Sequence, residues 1–326
     1  FLMIRRPPRS TQSRSSAASD VYKRQDEYDT AFFDKRSKFL HYLPELAVIN
    51  NIEFDHADIY GSIEEIKLTF RRLLNIVPRG GLALVNGDDR NVMEVIEQCP
   101  CPIRTIGFGD GCEWKIENPI YKREESSFSL AGEEYLIPMV GEFNVRNAAM
   151  AAAGGLFAGL GPDQIREAFL SFEGIARRQQ LRGEVRGVRV IDDFAHHPTA
   201  IRMVIEAFRQ RYPESRIWAV FEPRSNTTRR NIFQKELAES LATADYAVVP
   251  AIADPGKVAE CERLDPEQLV RDVVSLGADA AYLPTVEEIA KHIAARARKD
   301  DVVAVLSNGG FGNLHELLLS MLDEVH

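Results

Sequence analysis

The sequence has few cysteines, no excess of positive charge and no long apolar run. Four cysteines among 326 residues are too few for a disulfide scaffold and are typical of a reducing compartment. A formal net charge of −9 disfavours a general nucleic-acid-binding protein. No apolar run approaches the roughly 20 residues that a membrane-spanning helix needs. We therefore predict a cytoplasmic protein with neither nucleic acid nor membrane as a partner.

Several common catalytic motifs are absent as well. The chain has no Gly-x-Ser-x-Gly, His-Glu-x-x-His or Cys-x-x-Cys, which disfavours hydrolase, metalloprotease and thiol-redox functions. Cys99, Cys101 and Cys112 lack zinc-ligand spacing, and we interpret them as ordinary thiols. The phosphate-loop pattern G-x-x-x-x-G-K-[ST] is missing too. No G-x-G-x-x-G follows a predicted strand, which counts against an NAD-type oxidoreductase.

Residues 1–25 differ in composition from the rest of the chain. They hold six Lys/Arg and five Ser against a single acid, Asp20. A transit peptide has this composition, but the string is more similar to translated sequencing-adapter sequence at the end of an assembled fragment. We therefore expect a non-native or disordered leader, leave it out of the fold prediction, and expect the protein's own sequence to begin upstream of Asp26.

The remaining chain alternates apolar runs with helical periodicity. Strands are predicted at ELAVIN, LALVN, PIRTIGF and SSFSL and, after Val188, at VRVI, RIWAVFEP, YAVVPA, AAYLP and DVVAVLS. Helices are predicted between many of them, including one over residues 144–160 and one over 162–172. This alternation predicts an α/β fold, with an open parallel sheet covered by helices on both faces. We place a domain boundary near residues 181–183.

Two segments of the first half could bind a nucleotide. The loop NNIEFDHADIY follows a predicted strand and crowds Asp55, His56 and Asp58. Imidazole and carboxylate groups suit a divalent cation beside a phosphate, but a solvated loop that caps the next helix has the same composition. In GEFNVRN, Asn144 stands at a predicted helix start. Its amide suits the edge of an adenine, although it could equally be a plain N-cap.

Charged residues concentrate around the predicted domain boundary and the strand after it. Arg177 and Arg178 could clamp a phosphate between domains or form a solvated basic pair. In IDDFAHHPTA, residues 191–200, a strand delivers two carboxylates and two imidazoles to the start of a helix. Such a group at a strand's carboxyl end favours a functional site. The alternative is that Asp193 caps the helix and the histidines are exposed.

Two further strands end in segments suited to ligand binding. FEPRSNTTRR, residues 221–230, places three arginines among hydroxyl and amide side chains. This composition suits an anionic substrate, because a guanidinium pairs with a carboxylate in a fork. SNGGFG, residues 307–312, ends the last predicted strand, and its glycines let the backbone approach a ligand closely.

Taken in order, these segments resemble the Mur ligases of bacterial cell-wall synthesis. The resemblance rests on DEYDTAFFDKRSKF, NNIEFDHADIY, GEFNVRN, RR, DDFAHHPTA, FEPRSNT and SNGGFG, and it covers nearly all of residues 26–326. It implies a partial central ATP-binding domain at 26–182 and a Rossmann-like C-terminal substrate domain with a mostly parallel sheet at 183–326. FFDKRSKF, FEPRSNT and SNGGFG favour the branch that recycles murein peptides. The branch that adds L-alanine typically carries Pro-His-Arg-Tyr-Thr-Arg where this chain has PRSNTT.

The resemblance implies an ATP-dependent ligase that forms a carbon–nitrogen bond and acts as a monomer. ATP would phosphorylate the lactyl carboxylate of UDP-N-acetylmuramate, with Mg²⁺ as cofactor. The amine of the murein tripeptide L-Ala-γ-D-Glu-meso-diaminopimelate would then attack the acyl phosphate. By matching position, the nucleotide would be bound by His56 through Mg²⁺, Asn144 and Asn147 at adenine, Asp193 at ribose and Arg178 at the γ-phosphate. The reacting groups and the peptide would meet His196, Arg224, Ser307, Asn308 and Gly309.

The chain departs from the family in two places. The family's phosphate loop is missing, and Arg24 stands where a metal-binding glutamate is expected, three residues before Glu27. We therefore expect this chain to be an inactive fragment of a ligase. Two alternatives stay open. One is another Mur ligase that adds a single amino acid, and the other is a non-catalytic truncated paralogue that only binds nucleotide or peptide.

Overall fold

A computed structural model describes residues 2–4, 22–24, 37–97, 99–252, 256 and 258–324. Most of the leader and residues 26–36 of the first family-like segment lie outside the described residues. The chain forms two compact units. The first comprises Phe1–Ile120, Ser126–Pro138 and Phe143–Phe172, and the second comprises Tyr121–Glu125, Met139–Glu142 and Glu173–His326. In the described part of the chain, no helix is long and apolar enough to cross a membrane.

The first unit is built on a mixed sheet. Its strands are β1 (Leu2–Ile4), β2 (Tyr22–Arg24), β3 (Leu46–Ile49), β4 (Leu82–Asn86), β5 (Ile103–Gly107), β6 (Trp114–Tyr121), β7 (Ser126–Leu130) and β8 (Glu133–Ile137). They lie in the order β2-β1-β3-β4-β5-β6-β7-β8. Strands β3 to β6 run parallel, while the β1–β2, β1–β3 and β7–β8 pairs are antiparallel.

Four of these strands were not predicted from the sequence. β1 and β2 lie in the leader, which shows no strand periodicity, and β6 and β8 lie within residues 99–140, where only PIRTIGF and SSFSL were predicted as strands. The backbones of β1 and β2 pair with each other, and β1 pairs with β3 over three residues. That the leader is foreign to the protein stays a prediction.

Where the structure describes the first unit, its α-helices are α1 (Ile63–Ile76), α2 (Arg90–Ile96), α3 (Glu142–Phe157) and α4 (Pro162–Leu170). In α1, Ile66, Phe70 and Leu73 recur at helical spacing and are at most 1% exposed, so they build the core with residues of β3 and β4. α2 was not predicted. It begins after Asp89, whose carboxylate accepts a hydrogen bond from Val92 N at 2.8 Å and caps the helix.

The second unit is an almost entirely parallel sheet. Its strands are β9 (Gln180–Val185), β10 (Val188–Asp193), β11 (Ile217–Phe221), β12 (Tyr246–Val249), β13 (Asp279–Tyr282) and β14 (Val302–Leu306). Their order is β13-β12-β11-β14-β10-β9, and β9 is the antiparallel member. The five strands predicted after Val188 are confirmed. β9 was not predicted, and residues 181–183, where we placed the domain boundary, lie inside it.

The helices of the second unit begin as their sequences predict. They are α5 (Pro198–Arg211), α6 (Gln234–Leu241), α7 (Pro266–Ser275), α8 (Val286–Arg296) and α9 (Leu314–Glu324). Pro198 and Pro266 occupy first helical turns. Thr285 and Glu288 form a capping box at the start of α8. The α/β fold class is confirmed.

The strand order creates a switch point beside β14. From β10 the chain crosses through α5 to β11, continues outward to β12 and β13, and returns to insert β14 between β10 and β11. The connections therefore diverge on either side of β14. In open parallel sheets, ligands bind at such a point, beyond the carboxyl ends of the strands. The ends of β10, β14 and β11 define this edge of the second unit.

Candidate active site

Three predicted segments meet at the carboxyl edge of the second unit's sheet. Ser307 N donates to the carbonyl of Asp193 at 3.0 Å, and Glu222 N donates to the carbonyl of Leu306 at 3.0 Å. These bonds extend the pairing of β14 with β10 and β11 past the last strand residues. DDFAHH, FEPRSNT and SNGGFG therefore lie side by side within this unit.

Asp193 has a buried carboxylate that organises the backbone around it. It is 1% exposed, and its two oxygens accept hydrogen bonds from Gln179 N at 2.8 Å and Ala195 N at 2.7 Å. Burial raises the pKa of Asp193, and these two donors oppose the rise. The alternative that Asp193 caps α5 is wrong, because His197 occupies the N-cap position. Its role at a ribose stays a prediction.

The neighbouring Asp192 lies beside an imidazole and a guanidinium group. It is 4% exposed, with Oδ1 3.4 Å from His315 Nε2 and Oδ2 3.4 Å from Arg177 Nε. Burial alone would raise the pKa of Asp192. The contact with His315 and the charges of Arg177 and Arg182 outweigh burial and hold the pKa below its usual value. The carboxylate is therefore ionised at neutral pH.

His196 has a defined tautomer. Its Nδ1 lies 3.0 Å from the carbonyl oxygen of Phe194, and because a carbonyl only accepts, Nδ1 donates. The neutral ring then carries its lone pair on Nε2, where it can accept a proton or a hydrogen bond. His197 differs, since its ring packs edge-on against Phe233 with a centroid distance of 4.8 Å. Both histidines are half-buried, so the alternative of exposed histidines is wrong.

The two adjacent arginines make different contacts. Arg177 Nη2 donates to the carbonyl of Ser307 at 2.7 Å and to that of Gly309 at 2.6 Å. The guanidinium carbons of Arg177 and Arg178 lie 5.1 and 5.3 Å from the centroid of the Phe194 ring, within cation–π range. A solvated basic pair is therefore wrong for Arg177, which is bound to this edge of the sheet.

The residues predicted to hold the peptide form one cluster. Ser307 Oγ donates to the carboxylate of Glu222, and Arg224 Nη1 lies 3.4 Å from the same carboxylate. A Cβ added to Gly309 would lie 2.2 Å from Arg224 Nε, so the guanidinium group fits only against a glycine. Among the described residues, the buried Oδ1 of Asn308 has no hydrogen-bond partner. Sequence reasoning missed Glu222, although an acid directly after a buried strand was a usable signal.

A second polar network lies at the carboxyl ends of β3 and β4 in the first unit. Asn50 Nδ2 donates to Asn147 Oδ1 at 2.6 Å, and Asn86 Nδ2 donates to the carbonyl of Asn50 at 2.8 Å. Arg146 Nη1 donates to Asn86 Oδ1 at 2.6 Å and to Asp88 Oδ2 at 2.7 Å. The network fixes the side chain of Asn147, one of the two predicted adenine ligands. Of its five members, only Asn147 was singled out from the sequence.

Asp88 joins this network to the loop that follows β5. Its carboxylate also accepts from Phe108 N at 2.8 Å and Gly109 N at 2.9 Å. Burial raises the pKa of Asp88, but Arg146 and the two backbone donors outweigh it and hold the pKa below its usual value. A Cβ on Gly107 would lie 2.6 Å from this carboxylate, so the close approach requires glycine.

The other nucleotide candidates of the first unit lie on α3 and in the loop after β3. Asn144 is 5% exposed and is the third residue of α3, so the N-cap alternative is wrong. His56 is 8% exposed and has φ +54°. Its N–H donates to Asp55 Oδ1 at 2.7 Å. Within the described ranges, no group of three or more His, Cys, Asp or Glu side chains could hold a metal ion.

Two family models match the chain. Residues 30–155 match the Mur ligase middle domain, and residues 177–309 match the domain described as "Mur ligase, glutamate ligase domain". The chain belongs to the Mur ligase family, as the sequence motifs predicted.

Several named ligases align with most of this chain. UDP-N-acetylmuramate–L-alanyl-γ-D-glutamyl-meso-2,6-diaminoheptandioate ligase of Escherichia coli K12 is 39% identical over 303 residues, covering 91% of this chain and 64% of the relative. UDP-N-acetylmuramate–L-alanine ligase of Geobacter sulfurreducens is 31% identical over 293 residues, covering 88% and 63%. The crystal structure of a murein peptide ligase from Psychrobacter arcticus 273-4 has a TM-score of 0.65 at 30% identity, covering 93% and 62%. The chain thus spans less than two thirds of the length of these relatives.

Proposed function

We propose that the protein is an ATP-dependent ligase of the bacterial cytoplasm that joins UDP-N-acetylmuramate to L-Ala-γ-D-Glu-meso-diaminopimelate. The observation that carries this proposal is the cluster of Arg224, Glu222 and the Ser307–Gly309 loop at the switch point of the second unit. The tripeptide brings carboxylates of glutamate and diaminopimelate, which suit a guanidinium and the N–H donors of a glycine-containing loop. The 39% identity to a ligase named for this peptide supports the same choice.

The reaction joins the two substrates through an acyl phosphate. A lactyl carboxylate oxygen takes the γ-phosphoryl group of ATP and ADP leaves. The peptide amine then attacks the acyl carbon, the carbon–oxygen bond to phosphate breaks, and the nitrogen loses a proton. Arg178 offsets charge on the transferring phosphoryl group. His196, with its lone pair on Nε2, accepts a hydrogen bond or the proton at the reacting amine.

The nucleotide-binding roles are assigned residue by residue from the family motifs. Asn144 and Asn147 bind adenine, and Asp193 binds the ribose. His56 would be one protein ligand of Mg²⁺, an ion that takes most of its ligands from phosphate oxygens and water. When bound, Mg²⁺ neutralises negative charge on the phosphates. The protein acts as a monomer.

The choice of amine tests this function. We would purify the protein encoded at the native locus of this sequence and supply UDP-N-acetylmuramate, ATP and Mg²⁺. The tripeptide and L-alanine compete at equal concentration, and mass spectrometry identifies the nucleotide-linked product while ADP release is followed. We expect the tripeptide product to dominate. A dominant L-alanine product would assign the protein to the single-amino-acid ligases. Binding of the substrates without ADP release would favour the non-catalytic alternative.

A further inference from the structure

Arg177 contacts protein groups through Nη2 and Nε. Nη2 carries two hydrogens, and it donates to the carbonyls of Ser307 and Gly309 at 2.7 and 2.6 Å. Nε faces the buried carboxylate of Asp192 at 3.4 Å. These three of the five N–H groups of the guanidinium therefore face the protein rather than a phosphate. Arg177 therefore links the end of β10 to the loop after β14.

The two hydrogen bonds of Arg177 fix the direction of two peptide groups in this loop. In a trans peptide, the carbonyl of one residue and the N–H of the next point in opposite directions. Since the carbonyls of Ser307 and Gly309 point at Arg177, the N–H groups of Asn308 and Gly310 point away from it. Neither of these two N–H groups donates a hydrogen bond to any described residue. Gly310 is exposed and Asn308 is half-buried.

The opposite side of the loop is held independently of Arg177. Ser307 Oγ donates to the carboxylate of Glu222 and accepts from Gly309 N at 2.9 Å. Ser307 Oγ also lies 3.3 Å from the carbonyl oxygen of Gly309. Loss of Arg177 would therefore release the Ser307 carbonyl and remove the shorter of the two contacts of the Gly309 carbonyl, while leaving the Ser307 anchor and β14 in place. An effect limited to the loop, without loss of the fold, is the consequence to expect.

We propose that Arg177 is a positioning residue that turns the N–H groups of Asn308 and Gly310 toward carboxylates of the incoming peptide. This inference rests on the proposed function, because it takes the peptide as the ligand of the loop. Arg224 supplies a positive charge beside the same loop, packed on Gly309. The peptide carries several carboxylates, so the two N–H groups can each serve a separate acceptor. Arg177 then acts on the amine substrate rather than on ATP.

Kinetic measurements on the protein encoded at the native locus separate a role of Arg177 in tripeptide binding from a role in ATP binding. We expect Arg177→Gln to raise the KM for the tripeptide about tenfold, the scale of one lost hydrogen bond to a charged group. Arg177→Lys should have a smaller effect. The KM for ATP and the thermal midpoint should stay close to the wild-type values. The matched control is Arg271→Gln, which removes an exposed arginine of α7. A rise in the KM for ATP with an unchanged tripeptide KM would overturn the proposal.

A variant pair at Gly310 tests the N–H group itself. Gly310 has φ −79°, which proline can adopt, and an added Cβ meets open space. Gly310→Pro removes the N–H, whereas Gly310→Ala keeps it. We expect the tripeptide to bind about tenfold more weakly to Gly310→Pro than to Gly310→Ala. Equal affinities would overturn the role of this N–H.

If the protein encoded at the native locus makes no tripeptide product, the proposed function is wrong, but the positioning role of Arg177 can still be tested. Amide NMR on this chain provides that test. The backbone amide signals of Asn308 and Gly310 should move in Arg177→Gln and stay in place in Arg271→Gln. Addition of the tripeptide should shift both signals in the wild-type chain and shift them less in Arg177→Gln. Signals of Asn308 and Gly310 that are unchanged in Arg177→Gln would overturn the positioning role.

Discussion

At the scale of single residues, the two carboxylates that end β10 differ because their neighbours differ. Asp192 faces His315 and Arg177, and the contact with His315 and the charge of Arg177 hold the pKa of Asp192 below its usual value. Asp193 faces two backbone N–H groups in a more buried site, and its pKa is raised. Adjacent acids in one motif therefore have different electrostatic roles, which the letters DD in the sequence do not reveal.

Asp192→Asn should lower the free energy of unfolding by about 1–3 kcal/mol at pH 7, because it removes a buried charge that is paired with Arg177. The pKa of Asp192 is depressed in the folded state, so its contribution is present above the unfolded value near 3.8 and is lost as the pH falls below it. Urea unfolding at pH 7 and pH 3 measures both differences. Asp323→Asn, at an exposed residue of α9, is the control. An equal loss at both pH values would contradict the electrostatic account.

Gly309→Ala should weaken binding of the tripeptide. The new Cβ would lie 2.2 Å from Arg224 Nε, so the guanidinium group must leave its place against the loop. We expect the KM for the tripeptide to rise about tenfold or more, on the scale of a lost charge-assisted hydrogen bond. Gly111→Ala, where the added Cβ meets open space, is the matched control. An unchanged tripeptide KM in Gly309→Ala would show that Arg224 does not bind the peptide from this position.

At the scale of elements, apolar composition decided which strands between residues 46 and 306 were predicted. The five strands predicted after Val188 are mostly apolar, so their composition marks them. β9 alternates half-buried and exposed residues at an edge of the sheet, and its sequence QLRGEV carries no apolar run. β6 exposes four successive residues. α2 was missed although Asp89, the residue before it, is of a type that favours helix N-caps.

The candidate site shows the same division. Residues named from family motifs could be placed on the sequence because each motif is contiguous. The hydrogen bonds that join Asn50, Asn86 and Arg146 could not be predicted, and neither could the bond from Arg177 to the Ser307 carbonyl. Their partners lie far apart in the chain, and only the strand order brings them together. Long-range hydrogen bonds of this kind leave no local pattern.

Arg146 should support the first unit by connecting α3 to the loop after β4. Arg146→Met keeps an unbranched side chain but removes the donors to Asp88 and Asn86. We expect the free energy of unfolding to fall by about 1–3 kcal/mol, because two part-buried acceptors lose a partner. Arg90→Met is the control, since Arg90 is 92% exposed and its ion pair lies within one helix. Equal stabilities of the two variants in urea unfolding would contradict the connection.

At the scale of the whole molecule, each unit has a hydrogen-bonded polar cluster at the carboxyl ends of parallel strands. In the first unit these are the ends of β3, β4 and β5, and in the second the ends of β10, β14 and β11. The two sheets differ in the number of residues that pair on each side of a central strand. β14 pairs with β10 and β11 over five residues each, whereas β3 pairs with β4 over four residues and with β1 over three.

Native-state hydrogen exchange should reflect this difference. We expect the amides of β14 to exchange more slowly than those of β3, because β14 is covered by longer pairings on both sides. Mass spectrometry of peptic peptides that cover residues 46–49 and 302–306 measures the two rates in one sample. Equal protection of the two strands would contradict the expectation.

The central claim, ligation of the tripeptide through an acyl phosphate, is tested most directly by an oxygen label. UDP-N-acetylmuramate labelled with ¹⁸O in its lactyl carboxylate is supplied to the native-locus protein with ATP, Mg²⁺ and the tripeptide. Because the carbon–oxygen bond to phosphate breaks when the amine attacks, the account predicts that each released phosphate carries one ¹⁸O atom. Amide product accompanied by unlabelled phosphate, or no product with the tripeptide at all, would contradict it.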